Sequence, residues 1–98
     1  MDLPLNNIRI SIIIVTYNSC DVIKECLESI QLYNDIGNDI EIIVVDNSPH
    51  ENIKNVISDL QLKLNIRYIH NPENGGFGQG NNIGAKNSVG DILFILNP

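Results

Sequence analysis

Three polar clusters each stand directly behind an apolar run: Thr16-Tyr17-Asn18 after Ile10–Val15, Asp46-Asn47 after Ile40–Val45, and Asn71 to Gly80 after Ile66–Ile69. A carboxylate such as Asp46 can accept from a ribose hydroxyl or a base N–H, while threonine and asparagine both donate and accept. Tyr17 adds an aromatic ring that could cover the sheet or edge a base. Five of the seven glycines fall between Glu73 and Gly84, and glycine density ahead of a helix lets backbone N–H groups approach a phosphate or sugar closely. Together these residue types suit a nucleoside site built from polar side chains.

Other chemistries are excluded. His50 and His70 have no histidine or cysteine partner at ligand spacing, so a zinc site is not expected. Cys20 and Cys26 are splayed around one helix and read as reduced packing residues. No Gly-Lys-Ser/Thr is present, which excludes a P-loop, and the turn Thr16-Tyr17-Asn18-Ser19 lacks the glycines of a dinucleotide fingerprint. Gly78-Gln79-Gly80 with Gly84 imitates that fingerprint but follows the third strand instead of the first.

A chain of 98 residues has room for one domain, and 43% apolar against 18% charged residues describes a packed globular unit. Its formal net charge of −6 argues against nucleic acid and anionic membrane as partners, so a bound phosphate would need local neutralisation. No apolar run reaches the length of a membrane span and the first residues lack a signal core, so a cytoplasmic location is expected.

The positioning elements alternate. Ile10–Val15 is β-branched and almost continuously apolar, the mark of a strand buried on both faces. Cys20 to Tyr33 carries Val22, Ile23, Cys26, Leu27 and Ile30 at helical spacing, with Asn18 or Ser19 as its cap. Ile40–Val45 repeats the buried-strand signature. Ser48-Pro49-His50-Glu51 has the form of a capping box, predicting a second helix with Ile53, Val56, Ile57 and Leu60 inward. Ile66–Ile69 reads as an edge strand, Ile83–Val89 as a short third helix, and Ile92–Leu96 as a fourth strand. Such alternation implies right-handed crossovers and an α/β fold, a Rossmann-like parallel sheet with helices on both faces. Ligands bind beyond the carboxyl ends of such strands.

Four segments carry a resemblance: Ser-Ile-Ile-Ile-Val-Thr-Tyr-Asn-Ser at 11–19, Ile-Ile-Val-Val-Asp-Asn-Ser at 42–48, Asn-Pro-Glu-Asn-Gly-Gly-Phe-Gly-Gln-Gly-Asn-Asn at 71–82, and Gly-Asp-Ile-Leu-Phe-Ile-Leu-Asn-Pro at 90–98. In order and spacing the chain resembles the family 2 glycosyltransferases, in particular their rhamnosyltransferase-like branch. The resemblance implies the N-terminal half of a GT-A domain with strand order 3-2-1-4. It further implies a nucleoside-diphosphate sugar donor, a glycan or lipid-linked acceptor, and transfer with inversion. Carried over by motif, Thr16, Tyr17 and Asn18 would edge the base pocket, and Asp46 with Asn47 would hold the base or ribose. Asn74, Gly76, Phe77, Gly78 and Asn82 would line the next part of the cleft. Asn81 stands where many members have a basic residue, leaving Lys86 as an alternative cation.

The family's Asp-x-Asp would begin at Asn97, so residues 1–98 are expected to form a single nucleotide-sugar-binding half-domain that stops before the metal-binding acid and the acceptor-binding half. The resemblance thus implies a divalent cation, magnesium or manganese, in the full-length protein and none held by these residues alone. It implies a role in cell-surface polysaccharide synthesis, in the cytoplasm or at the cytoplasmic face of the membrane, with the isolated fragment inactive. The alternative is a non-catalytic Rossmann-like nucleotide-binding or interaction module. Ile92–Leu96 contains no charge or proline to block edge pairing, so a homodimer through strand four is expected.

Overall fold

The computed structural model describes residues 8–33, 39–50, 53–73 and 75–96. Four parallel strands, β1 (Ile10–Thr16), β2 (Ile40–Asp46), β3 (Ile66–His70) and β4 (Ile92–Leu96), form one sheet in the order β3-β2-β1-β4. That is the order the resemblance implies. β1 sits in the interior and is buried along its whole length, which is why its sequence, Ser11 and the final Thr16 apart, is apolar without alternation. Its register places Thr16 opposite Asp46, while β2 places Asp46 opposite His70.

Helices cover both faces. Ile10, Ile12, Ile14, Ile42 and Val44 pack against Ile23 and Leu27 of α1 (Cys20–Tyr33) and against Ile57 of α2 (Lys54–Ser58) with its neighbour Ile53. Ile43, Val45 and Val15 face the other way, toward Ile83 of α3 (Gly76–Lys86). Full burial of each such aliphatic side chain contributes about 1.5–3 kcal/mol, so the alternation of inward residues fixes the two layers. Cys26 packs at the rim of the first cluster, where burial pushes its thiol pKa up. Among the described residues no helix is long and apolar enough to cross a membrane.

Two elements differ from the sequence reading. The second helix begins at Lys54 with no side-chain cap, and Ser48–His50 form bends instead of a capping box. Glu51, the expected reciprocal partner, lies outside the described residues. Ser48 is engaged elsewhere: its Oγ accepts the Asn18 N–H at 2.7 Å. The third helix begins at Gly76 instead of Ile83 and ends at Lys86. Low helix propensity hid this start, but Gly80 and Gly84 have a packing role. A Cβ at Gly80 would lie 2.6 Å from Val15 Cγ1, and one at Gly84 would lie 2.4 Å from Ile13 Cγ2. Only glycine lets the helix sit this close to β1.

At the opposite end of the sheet from the strand termini, Glu41 is buried beside Ser11, its register partner. Its carboxylate accepts the Ser11 hydroxyl at 2.5 Å and the Val89 N–H at 2.6 Å, and Ser11 Oγ in turn accepts the Gly90 N–H at 2.8 Å. The connection entering β4 is thereby tied to the sheet. Burial alone would push the Glu41 carboxyl pKa up. The two donors, with the charges of Arg67 and Arg9, outweigh burial and hold it below its ordinary value. A depressed folded-state pKa gives stability that is present above the unfolded value, about 4.3 for glutamate, and lost as pH falls through the folded one. Urea unfolding should therefore show wild-type stability falling more steeply than that of Glu41→Gln over that acid range. Parallel curves for the two proteins would contradict this.

Candidate functional site

The carboxyl ends of β1 and β2 lie side by side, and their last residues face the α1/α2 layer. Asp46 closes β2 and is fully buried; its Oδ1 accepts the Ser48 N–H at 3.0 Å and its Oδ2 the Tyr68 hydroxyl at 2.7 Å. The acid therefore shapes the turn after β2 as well as ending the strand. A carboxylate has roughly four acceptor positions, so two protein donors leave capacity for a ligand donor. Solvent does not reach the group, so a ligand meets it only after the residues around it shift.

Beside it, Thr16 is 1% exposed, and its Oγ1 has no hydrogen-bond partner among the described residues. Buried hydroxyls are normally paired, and an orphaned one costs about 1–3 kcal/mol. After Thr16 the chain turns sharply, with Asn18 at φ +47°, a left-handed conformation that asparagine tolerates better than most residues. Ser19 begins α1 through its carbonyl, which accepts the Ile23 N–H, while its hydroxyl donates back to the Tyr17 carbonyl at 2.7 Å. Tyr17 is left 47% exposed at this rim.

A second polar set joins the same strand end to α3. Asn47 Nδ2 donates to the Gly76 carbonyl at 3.2 Å, and its Oδ1 accepts Asn71 Nδ2 at 2.8 Å. Gln79 Oε1 accepts both Asn71 Nδ2 and the Gly75 N–H. Asn47 is thus the joint between β2 and the first turn of α3. Phe77, Gly78 and Asn82 are exposed on that helix. Asn81 is half-buried, and its Oδ1 is buried with no partner among the described residues. Asn74 and Asn97 lie outside the described residues.

Sequence reasoning placed Asn71 and Gln79 within the third polar cluster but missed Tyr68 and His70 as contributors to this end of the sheet. The signal was present only in register: Tyr68 and His70 alternate with Arg67 and Ile69 on an edge strand, so one face of β3 carries polar groups toward β2. Gly78 belongs to the glycine-dense segment expected to let backbone approach a ligand. It is helical with nothing within 4 Å of a built Cβ, whereas Gly76 has φ +87°. Gly76→Ala should therefore cost about 1–2 kcal/mol, whereas Gly78→Ala should stabilise by about 0.4–1 kcal/mol through the unfolded chain. Thermal denaturation of both variants separates the two positions, and equal shifts would contradict the assignment.

Among the described residues no three aspartate, glutamate, histidine or cysteine side chains converge. Asp46, the acid that closes β2, is a single carboxylate shared with two protein donors and by itself offers too few ligands for a divalent cation. The described residues do not fit a divalent cation.

Comparison with known proteins agrees with this geometry. The sequence profile of Glycosyl transferase family 2 matches residues 11–98. An uncharacterized glycosyltransferase of Mycoplasma genitalium is 34% identical over 88% of this chain and 30% of its own length. A poly(ribitol-phosphate) beta-glucosyltransferase of Bacillus spizizenii is 36% identical over 89% of this chain and 14% of its own length. Among solved structures, Staphylococcus aureus TarS in complex with UDP-GlcNAc superposes with a TM-score of 0.81 at 27% identity, covering 91% of this chain and 26% of that one. The chain spans less than a third of the length of these proteins. With the family profile matching nearly its whole length and a 3-2-1-4 parallel sheet shared with GT-A enzymes, the chain belongs to glycosyl transferase family 2.

Proposed function

We propose that this chain is the donor-binding portion of an inverting glycosyltransferase. The protein would move a hexosyl or rhamnosyl group from a nucleoside-diphosphate sugar to a glycan or lipid-linked acceptor in cytoplasmic, cell-surface polysaccharide synthesis. The observation that carries the reading is the pairing of an unpartnered buried Thr16 hydroxyl with the Asp46 carboxylate at adjacent strand ends. One donates or accepts and the other accepts only, which suits the mixed edge of a nucleobase or ribose. Gly76, Phe77, Gly78 and Asn82 on the first turns of α3, with Asn74 before it, would take the remainder of the nucleotide. A magnesium or manganese ion would neutralise the diphosphate in the full-length protein, with Asn97 near its site, and the 98 residues alone would not turn over substrate.

Calorimetric titration with uridine, thymidine and guanosine diphosphate sugars, in the presence of either ion, tests this. Micromolar binding of at least one class, with no binding of NAD, is expected. Failure of all three would refute the reading.

β4 supports a second part of the proposal, a homodimer. All five of its apolar side chains are exposed, from 37% at Leu96 to 53% at Ile95, and among the described residues β4 pairs on one side only. Pairing with its own copy about a two-fold axis would extend the sheet. Light scattering of the chain at micromolar concentration should give twice the monomer mass, and a concentration-independent monomer would sink the idea.

A further inference from the structure

β3 and Asn71, the residue that follows it, supply partners to Asp46, Asn47 and Ser48 at the end of β2. Tyr68 donates its hydroxyl to Asp46 Oδ2, and the Asn71 N–H meets the Asp46 carbonyl at 2.7 Å. Asn71 Nδ2 holds Asn47, and His70 Nε2 lies 2.8 Å from the Ser48 carbonyl. A carbonyl only accepts, so that histidine nitrogen carries the proton. Ser48 then fixes the turn after β1 through the Asn18 N–H. An edge strand with no residue assigned to the ligand therefore governs the geometry of the strand end that has one.

Within this set Tyr68 acts on the carboxylate itself. Its ring packs at the margin of the α1/α2 core, which fixes where the hydroxyl can point. The Ser48 N–H restrains one carboxylate oxygen and the Tyr68 hydroxyl the other, so the plane of the group is set from two sides. A carboxylate held this way needs no reorientation when a ligand donor arrives. We propose that Tyr68 is a positioning residue for nucleotide recognition, acting through Asp46; the inference rests on the donor-binding reading above. Removing the hydroxyl leaves Asp46 bonded to the Ser48 N–H alone of these two donors and free to turn about its side-chain torsions, which lowers affinity without removing a ligand contact.

The test compares UDP and GDP affinities by calorimetry for wild type, Tyr68→Phe, Asp46→Asn and the double variant. Tyr68→Phe is expected to weaken whichever nucleotide binds by roughly five- to tenfold, the scale of one ordinary hydrogen bond and less than the loss of the carboxylate itself. In the Asp46→Asn background the same change should have almost no further effect, because the group it positions is gone. Unchanged or tighter binding by Tyr68→Phe, with Asp46→Asn impaired, overturns the positioning role and leaves the donor-binding reading standing. Additive losses in the double variant overturn it too, since a purely structural tyrosine would act independently of Asp46. Unchanged binding by Asp46→Asn overturns the reading and the inference together. Should Tyr68→Phe fold poorly, the wild-type hydroxyl proton can be followed by NMR. Its resonance should move on addition of saturating nucleotide, and a stationary resonance overturns the proposal.

Discussion

Asp46→Ala should weaken nucleoside-diphosphate binding by about 1.5–3 kcal/mol, roughly ten- to hundredfold, the range for losing hydrogen bonds to a charged acceptor. The same substitution also strands two protein donors, the Ser48 N–H and the Tyr68 hydroxyl, in a buried site. A stability loss of about 1–3 kcal/mol is therefore expected beside the binding loss. The two effects are separable because affinity is measured on protein that remains folded, at a temperature well below the transition. Calorimetry showing equal affinity for wild type and variant, with the transition lowered, would restrict Asp46 to its turn-forming role.

Gly84→Val is expected to be the most damaging change to the fold. A Cβ there falls 2.4 Å from Ile13 Cγ2 and 3.3 Å from Cγ1, and Ile13 is fully buried in the central strand with no route to give way. Valine adds two further methyl groups in the same gap. Overpacking of this kind typically costs about 1–3 kcal/mol, and here α3 must also lift from β1. Because α3 carries Gly76, whose carbonyl receives Asn47 Nδ2, its displacement should loosen the ligand end as well. Denaturant titration should show a lower midpoint, with nucleotide affinity reduced in the same variant. A midpoint within about 0.5 kcal/mol of wild type, the scatter of neutral surface changes, would show that the helix is not seated as described.

The sheet was legible because its strands advertise themselves. Ile10–Val15 and Ile40–Val45 are apolar on both faces apart from Ser11 and Glu41, and the amphipathic spacing of Ile23, Cys26, Leu27 and Ile30 admits one structure. Asp46 was legible as the acid that closes a buried strand. The third helix was not, because Gly-Phe-Gly-Gln-Gly reads locally as a loop. Its helical form is decided by how closely Gly80 and Gly84 seat on Val15 and Ile13, a tertiary effect that outweighs propensity. The capping box failed for a related reason: the Ser48 hydroxyl has a partner 30 residues away in sequence, in Asn18. Tyr68 and His70 were hidden because a role set by register cannot be read until the neighbouring strand is known. Glu41 gave no signal at all, since a lone acid inside an apolar strand acquires its donors only when Ser11 and Val89 arrive.

The 3-2-1-4 order also dictates a schedule for synthesis. Ile10 pairs with Ile40 and with Ile92, so the central strand can find its first neighbour early but meets the second only 82 residues after it was made. At roughly 5–20 residues per second, that gap is on the order of 4–16 seconds. Throughout it β1 presents one open edge of Ile-Ser-Ile-Ile-Ile-Val, bare of charge, as the nascent chain emerges. The hydrogen bonds of Val89 and Gly90 to Glu41 and Ser11 are what capture β4 when it finally appears, so they close the interval in which a growing chain is open to capture by its neighbours on the same message.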